Sequence, residues 1–463
     1  MEFARGSLTL LLLSSVAPPV ASQQAGSLTP EAHPPLWSLD CTARGCWWER
    51  GSVVLDANWR WLQKDGKNCY KDGDWDPAVC SDPIQCAKNC AAEGADYAAT
   101  YGISVNRWQD ALTLKFVTQG EYGSNVGSRV YFMDSDETYK IFKLKNREFS
   151  LDVDVSKLPC GVNGAVYFVE MDKRGHWNGR SNTAGATYGT GYCDAQCPHD
   201  VKFIKGAANS KDWDPKTATG RYGACCAEMD IWEANSQSTA YTPHPCTQPG
   251  LTKCDGVTCG DADQRYDGIC DKDGCDYNSY RLGDRDYYGP GPGFTVDTSK
   301  PFSVVTQFDG TDSGDLAEIK RFYVQGGQVV PNSESSILGR NSGNSVTDSL
   351  CAKQKTKFGD LDDFTRKGGL AEMGAALDRG MVLVLSLWDD AAVNMLWLDS
   401  AYPTDQPKTT PGVLRGPCPG GKQSTPEYLR STYPDAQVEF SYIKVGTINS
   451  TLPYNRRLGG SYV

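Results

Sequence analysis

The feature that most constrains this chain is its set of eighteen cysteines, which are spread from Cys41 to Cys418. They follow a charged start, a short apolar run and small residues, a combination typical of a secretory signal peptide over residues 1–22. An even number of cysteines behind such a segment predicts disulfides formed in an oxidising compartment. We therefore expect a secreted, extracellular protein whose mature chain starts near Gln23.

Charge, histidine content and hydropathy argue against several classes of partner. The net charge of −11 disfavours nucleic acid, whose phosphates require basic patches. The four histidines form no paired cluster with cysteines of the kind that holds zinc, so we expect no metal and no cofactor. The N-terminal apolar run is shorter than the roughly 20 residues that cross a bilayer, and no later segment is apolar enough. The sequence thus predicts a soluble monomer with a neutral substrate and no membrane partner.

Strand signals dominate residues 23–463, which we expect to form one domain because the cysteines are spread evenly and no linker interrupts them. Residues 149–155 alternate apolar and polar side chains, the period of a half-buried strand. Residues 364–379 are the best helix candidate, which Gly380 would end. Many antiparallel strands with little helix indicate a sandwich or jelly roll. The other predicted strands are 113–118, 129–133, 165–171, 302–308, 319–325, 381–388 and 438–445.

Three acidic residues, Glu228, Asp230 and Glu233, lie close together in one short segment. In a strand, Glu228 and Asp230 share a face, and Glu233 falls on the other face unless a bulge intervenes. A helix spreads the same spacing over more than one side. A bulged strand is therefore the geometry that gathers all three.

Clustered carboxylates repel each other, so one of them should keep a proton near neutral pH. An ionised nucleophile and a protonated acid are the pair that glycoside hydrolysis requires. The alternative is a solvated acidic strand at the surface, which would alternate acids with polar residues. Here the acids alternate with apolar residues such as Met229 and Ile231, which favours a functional cluster.

Tryptophans beside charged residues form a second pattern. Trp59 and Trp61 flank Arg60, and Trp388 and Trp397 bracket a pair of aspartates. Flat aromatic rings stack on the C–H faces of pyranose sugars, so exposed tryptophans can bind a glucan chain. For any single tryptophan, burial in the core is the common alternative.

The run Cys-Cys-x-Glu-Met-Asp-Ile-Trp-Glu-Ala-Asn at 225–235 resembles the signature of glycoside hydrolase family 7, the fungal-type cellobiohydrolases and endoglucanases. The resemblance covers nearly the whole mature chain. It implies an all-β jelly-roll sandwich of two large curved antiparallel sheets, whose long disulfide-stapled loops form a substrate tunnel or cleft. Other matching segments are 51–61, 158–165, 271–277, 386–390 and 394–399.

The resemblance implies a role for each acidic residue. Glu228 matches the nucleophile and Glu233 the general acid/base. Asp230 matches a helper hydrogen-bonded to Glu228, and His244 matches a histidine close to the acid/base. The substrate would be cellulose or a cello-oligosaccharide, cleaved with retention of configuration.

Substrate-binding residues are implied position by position, although a loop salt bridge or a core position is the alternative for each. Trp61 matches an aromatic platform at the groove entrance and Trp59 the next one inward, while Trp388 and Trp397 match platforms on either side of the cut. The groove-lining positions are Asn163, Tyr167, Asp194, Gln196 and Lys202. The positions on the product side are Arg265, Asp273, Asp276, Arg281 and Arg415.

Family resemblance also implies how the cysteines pair, with every one of the eighteen used. Many relatives have one further bridge near the N-terminus, but Ala91 follows Cys90 here, so that bridge is absent. The implied pairs are Cys41–Cys46, Cys69–Cys90, Cys80–Cys86, Cys160–Cys418, Cys193–Cys226, Cys197–Cys225, Cys246–Cys270, Cys254–Cys259 and Cys275–Cys351.

We expect a cellobiohydrolase that releases cellobiose from the reducing end, without a carbohydrate-binding module, because residues 200–209 and 246–270 resemble the long roof loops of that type. One departure favours an endoglucanase with a more open cleft. Ala391-Ala392 and Asp261 stand where cellobiohydrolases often carry opposing tyrosines. A non-catalytic glucan-binding lectin is a weaker alternative, because a binding module needs no buried acids. The sequon at Asn449 permits a glycan.

Overall fold

The computed structural model describes residues 23–121, 123–339 and 342–452, so the predicted signal peptide lies outside the described residues. None of the helices in these ranges is long and apolar enough to cross a membrane. Two large sheets dominate the fold.

One of them, called the groove sheet below, carries the acidic segment and is antiparallel throughout. Its strands in spatial order are Thr138–Tyr139, Ser128–Ser135, Met381–Asp389, Val162–Val169, Glu228–Ala234 and Thr239–His244. Ser52–Leu55 and Ile141–Phe142 extend it by pairing with Ser128–Ser135 and Met381–Asp389, respectively.

The second large sheet, called the outer sheet below, is antiparallel except where Ser38–Thr42 joins Gln437–Thr447 in parallel. Its strands in spatial order are Ile103–Val105, Ala111–Lys115, Gln437–Thr447, Arg147–Asp154, Phe302–Gly310, Leu316–Gln325 and Gln328–Pro331. Ser38–Thr42 is attached to Gln437–Thr447, and Gly45–Glu49 pairs with Ser38–Thr42.

The two sheets pack face to face through large aromatic side chains. Phe149 of the outer sheet meets Phe168 of the groove sheet with ring centroids 5.0 Å apart. Trp232 of the groove sheet meets Phe302 and Tyr323 of the outer sheet in the same manner, at 5.7 and 6.1 Å. All five are buried in one continuous apolar cluster, which confirms the predicted sandwich.

Helices and short strands make up the loops. The α-helices are Pro83–Asn89, Asp348–Phe358, Asp363–Arg366, Gly369–Arg379, Leu396–Asp399 and Pro426–Thr432, and the 3₁₀ turns are Ala186–Tyr188, Gly256–Cys259, Ala262–Gln264 and Gly421–Ser424. The short strands are Gln24–Ala25, Leu62–Lys64, Lys67–Asn68, Tyr70–Lys71, Asp74–Trp75, Ala91–Ala92, Val117–Gly120, Gly123–Val126, Phe203–Ile204, Ala207–Ala208, Gly223–Cys225, Thr252–Cys254, Tyr288–Gly289 and Val296–Asp297.

Two sequence predictions need correction. The helix expected over 364–379 is two helices, because Gly368 and Gly369 both take positive φ angles of 97° and 56°, which break the helical path. Its predicted end at Gly380 is confirmed. The strand expected over 113–118 is also two strands, which separate at Phe116.

All nine implied disulfides are present in the structure. Two of them, Cys193–Cys226 and Cys197–Cys225, tie the loop before the acidic strand to the residues that lead into that strand. Because this loop has few strands of its own, the covalent links fix its position above the groove sheet.

Candidate active site

A β-bulge gathers the three acidic side chains on one face of strand Glu228–Ala234, called the acid strand below. Between Asp230 and Glu233 the acid strand contains one residue more than the neighbouring strand Val162–Val169, and the extra residue is Ile231. The register shifts at the same place against the strand on the other side. The bulge turns Glu233 back to the face of Glu228 and Asp230, as a bulged strand would require.

Glu228 is buried and Glu233 is half-buried, and both are hydrogen-bonded. The backbone N–H of Ala195 donates to Glu228 Oε2 over 3.1 Å, and the Asn163 side-chain amide donates to Glu233 Oε1 over 3.0 Å. Burial raises the pKa of Glu228 and of Glu233 well above the usual range, and the neighbouring Asp230 charge raises both pKa values further. Both shifts favour a proton shared among the carboxylates, as a cluster of like charges predicts.

His244 neutralises the middle acid. Its Nε2 lies 3.1 Å from Asp230 Oδ2, and its Nδ1 donates to the Asp271 carbonyl over 2.8 Å. Burial opposes a charge on the ring, but the bond to Asp230 outweighs it and raises the pKa of His244 to about 9. The implied hydrogen bond between Asp230 and Glu228 is not among the side-chain contacts of the described residues, where Asp230 contacts His244.

The His244–Asp230 pair predicts a pH-dependent stability. A histidine whose pKa is raised from 6.5 to about 9 by folding stabilises the folded state fully below pH 6.5, and this contribution disappears as the pH rises through 9. The full effect is about 3 kcal/mol. We expect the gap in Tm between wild type and His244→Gln to be widest below pH 6.5 and to close by pH 9 in thermal melts. Parallel melting profiles across this range would contradict the pairing.

A chain of tyrosine hydroxyls links the strand Val162–Val169, which pairs with the acid strand, to the loop that carries Asp194. The hydroxyls of Tyr167 and Tyr192 lie 2.9 Å apart, and Tyr192 donates to Asp194 Oδ2 over 2.6 Å. Burial raises the pKa of Asp194 to about 6. Gln196 lies two residues after Asp194, and its side chain donates to the Lys272 carbonyl over 2.7 Å. Tyr167, Asp194 and Gln196 thus lie together near Glu228, whose Oε2 accepts from the backbone N–H of Ala195.

A half-buried arginine connects Trp59, one of the two tryptophans expected near the groove entrance, to this chain. Arg129 lies 3.3 Å from the ring centroid of Tyr192 and 5.4 Å from that of Trp59. Trp59 is half-buried against the core, whereas Trp61 is 37% exposed and donates to Asn68. Trp61 is therefore placed to offer an exposed ring, and Trp59 a partly covered one.

Trp388 and Trp397 stack on each other with ring centroids 6.3 Å apart and planes inclined by 30°. Trp388 lies directly opposite Asn163 on the adjacent strand, which places the pair next to Glu233. Trp397 Nε1 donates to Asp390 over 3.2 Å, so this carboxylate orients the ring. The structure therefore places Trp388 and Trp397 close to Glu233 of the acid strand.

The residues expected on the product side form two ion pairs, and the remaining Arg415 has no carboxylate within ion-pair distance in the part of the chain that the structure describes. Arg265 bonds Asp273 over 2.6 Å, and the buried Arg281 bonds Asp276. Arg415 instead donates to a backbone carbonyl, and burial together with the nearby Arg281 lowers its pKa to about 10. Arg265 and Arg281 are thus salt-bridged, whereas Arg415 interacts with Asp276, Asp360 and Asp273 only at longer range.

Lys202, expected to line the groove, belongs to the first of the two roof loops, residues 200–209. Its Nζ donates to the Asn58 carbonyl over 2.5 Å and lies 4.3 Å from the ring centroid of Tyr70. Burial lowers its pKa to about 8. These contacts tie the roof loop to the tryptophan segment 59–61.

Two roof loops meet through a hydrogen bond that sequence reasoning missed. His199 Nε2 lies 3.1 Å from Asp261 Oδ1, and Lys272 Nζ donates to the Gly260 carbonyl over 3.1 Å. Asp261, which replaces an expected tyrosine, thus still makes a contact between loops.

Within the described ranges, each group of three or more potential metal ligands includes a cysteine held in a disulfide, so these groups offer no free thiolate.

Further residues around the site were also missed. Arg129 pairs with Asp56 over 2.5 Å, and Tyr131 donates to the same carboxylate. Strand alternation in 129–133 puts Arg129 and Tyr131 on one face, which was the available signal. Their partner Asp56 comes from another strand end, and such pairing is not visible in the sequence.

Comparison with known proteins identifies the family of the chain. The profile of glycosyl hydrolase family 7 matches residues 25–452. A cellobiohydrolase of this family from Daphnia pulex is 50% identical with a TM-score of 0.89, over 93% of this chain and 100% of that one. A cellobiohydrolase from Melanocarpus albomyces, complexed with cellotetraose, is 44% identical with a TM-score of 0.87, over 93% and 99%. An endocellulase from Humicola insolens is 35% identical with a TM-score of 0.79, over 93% and 100%. The chain belongs to glycosyl hydrolase family 7, a family of cellulases.

Proposed function

We propose that the chain is a retaining cellobiohydrolase that cleaves β-1,4-glucosidic bonds of cellulose and releases cellobiose from the reducing end. The observation that carries the proposal is the bulge at Ile231, which places Glu228, Asp230 and Glu233 together on the groove sheet. Two glutamates with raised pKa values, one buried and one half-buried, beside the stacked pair Trp388 and Trp397 have the chemistry that a glycosidase requires.

Each glutamate has its own part in the proposed reaction. Glu233 gives its proton to the glycosidic oxygen while the Glu228 carboxylate bonds to the anomeric carbon, which breaks the glycosidic bond. Glu233 then takes a proton from water, whose oxygen attacks the same carbon and frees Glu228. The fixed N–H of Ala195 favours the ionised form of Glu228, as a nucleophile needs.

Asp230 and His244 set the charge of the site in this scheme. The positive charge of the protonated His244 ring offsets the negative charge of Asp230, so the site as a whole carries less net negative charge. Asp230 in turn keeps the pKa of Glu233 high enough for it to hold the proton that the first step consumes.

The exo mode is supported by the roof. The hairpin of Phe203–Ile204 and Ala207–Ala208 and the loop 246–270 are both present, and the His199–Asp261 pair joins their two loops. A roofed groove holds a glucan chain through successive cuts, because the chain cannot leave sideways. The two cellobiohydrolases described above are also more similar to this chain than the endocellulase is.

An endoglucanase is the second candidate, and the exposed Ala391-Ala392 pair favours it. Small side chains at this turn reach less far toward the opposite loop than tyrosines would, so the groove can open more readily.

We further propose secretion and a monomeric state, which the nine disulfides and the acidic charge support. Asn449 is exposed, as a glycan acceptor must be.

The mode of attack predicts the products formed from amorphous cellulose. We expect cellobiose to dominate the soluble products at all times, while reducing ends on the insoluble fraction rise slowly. Chromatography of the supernatant together with a reducing-end assay of the solid measures both. A rapid fall in the viscosity of carboxymethylcellulose, with a broad range of oligomers, would support the endoglucanase instead.

A further inference from the structure

Arg321 is a buried cation in the middle of the sandwich. It lies on strand Leu316–Gln325 of the outer sheet, directly opposite Thr306, and its side chain points into the core with only 3% of the residue exposed. No carboxylate lies within ion-pair distance of it among residues 23–121, 123–339 and 342–452. A charge in this position is costly, because an apolar residue would fill the same space without losing its water shell.

The guanidinium reaches across the core to the groove sheet. Its Nη2 donates to the carbonyl of Ile231, and its Nε donates to Thr306 Oγ1 over 3.3 Å. The ring of Tyr241 lies against it, with the centroid 4.2 Å away, and Tyr241 is itself stacked on Tyr277. These contacts hold the Arg321 side chain in one orientation, in which Nη2 donates to the Ile231 carbonyl oxygen.

That backbone atom belongs to the bulge. Ile231 is the extra residue of the acid strand, without an opposite residue on the strand Val162–Val169. The extra residue of a bulge is left outside the regular hydrogen-bond ladder, so its carbonyl needs another donor when it is buried. Arg321 supplies this donor from the core side, and thereby fixes the orientation of the peptide between Asp230 and Glu233.

We propose that Arg321 is a positioning residue for the acid strand, which holds the Ile231 carbonyl and keeps Glu233 on the face of Glu228 and Asp230. The proposal rests on the proposed function, in which these acids perform the reaction. Packing alone gives no reason for an arginine here, whereas a long side chain with several donors and a permanent charge can reach a carbonyl on the other sheet.

The test compares Arg321→Met and Arg321→Lys with Val304→Ala. Val304 is a buried core residue on the strand that pairs with Arg321's own strand, and its truncation destabilises the core while the Arg321 donors stay in place. The measurements are Tm, kcat and KM on 4-nitrophenyl β-cellobioside, the pH profile of kcat/KM, and calorimetric Kd for a thio-linked cellotetraose. We expect Arg321→Met to lower kcat by about 10²-fold, because an acid displaced by about 1 Å loses that much.

The separate readouts decide between positioning and mere stability. KM and Kd should change less than about threefold in Arg321→Met, the limbs of its pH profile should move, and Val304→Ala should lower Tm with kcat nearly unchanged. Arg321→Lys, which keeps the charge and a shorter donor, should lie between wild type and Arg321→Met. If Arg321→Met does not fold, a kcat of Arg321→Lys equal to that of Val304→Ala would overturn the proposal. Equal kcat values for Arg321→Met and Val304→Ala would overturn it too, whereas active Glu228 variants would instead overturn the proposed function.

Discussion

Glu228→Gln is expected to abolish hydrolysis while leaving fold and glucan binding intact. The amide keeps the shape of the side chain but cannot attack the anomeric carbon, so kcat on cello-oligosaccharides should fall by about 10⁴-fold or more. Stability should not fall with it. Because burial and neighbouring charges raise the pKa of Glu228, its ionised form opposes folding at neutral pH, and a neutral amide removes that opposition. We expect the Tm at pH 7 to equal or exceed that of wild type.

A matched control is available on the neighbouring strand's end. Glu170 is also buried, but its carboxylate is bonded to Arg379 over 2.5 Å. Glu170→Gln should lower Tm by weakening this pair and leave kcat on cellohexaose close to wild type. Calorimetry with cellohexaose on the inactive Glu228→Gln variant measures binding directly. Turnover near the wild-type rate in Glu228→Gln would remove Glu228 from the proposed mechanism.

The acid strand shows how far sequence reasoning reached. Alternation alone placed Glu228 and Asp230 on one face and required a bulge for Glu233, and the structure contains that bulge at Ile231. The need for it followed from local geometry, since side chains in a strand alternate. What supports the bulge was not visible, because the Arg321 contact depends on which residues of the other sheet lie opposite.

The same limit applies to the rest of the site. Strands and their faces were predicted from period, but the pairing of distant strands was not, so the Asp56–Arg129 pair and the His199–Asp261 pair were missed. Disulfide pairs followed from family resemblance rather than from spacing, which permits many pairings. The helix over 364–379 was misjudged because an apolar helical pattern continued across two glycines whose backbone leaves the helical path.

Glu233→Gln tests the other half of the mechanism, and its expected effect depends on the leaving group. Without a proton donor, kcat/KM on cellulose and cello-oligosaccharides should fall by about 10³-fold. A substrate such as 2,4-dinitrophenyl β-cellobioside needs no protonation to leave, so Glu228 should still form the glycosyl-enzyme. The variant should then stall, because no base activates water for the second step. Stopped-flow absorbance should therefore show a burst of dinitrophenol followed by slow turnover.

Added azide separates this mechanism from a general loss of activity. Azide needs no base, so it should attack the stalled intermediate, raise the turnover of Glu233→Gln and yield β-cellobiosyl azide, whose configuration reports retention by NMR. Asn163→Ala is the matched control, because it removes the amide that bonds Glu233 but leaves the carboxyl group in place. It should lower activity without any acceleration by azide. An α-azide product, or a Glu233→Gln variant that azide does not accelerate, would exclude the assignment of Glu233 as the acid/base of a double displacement.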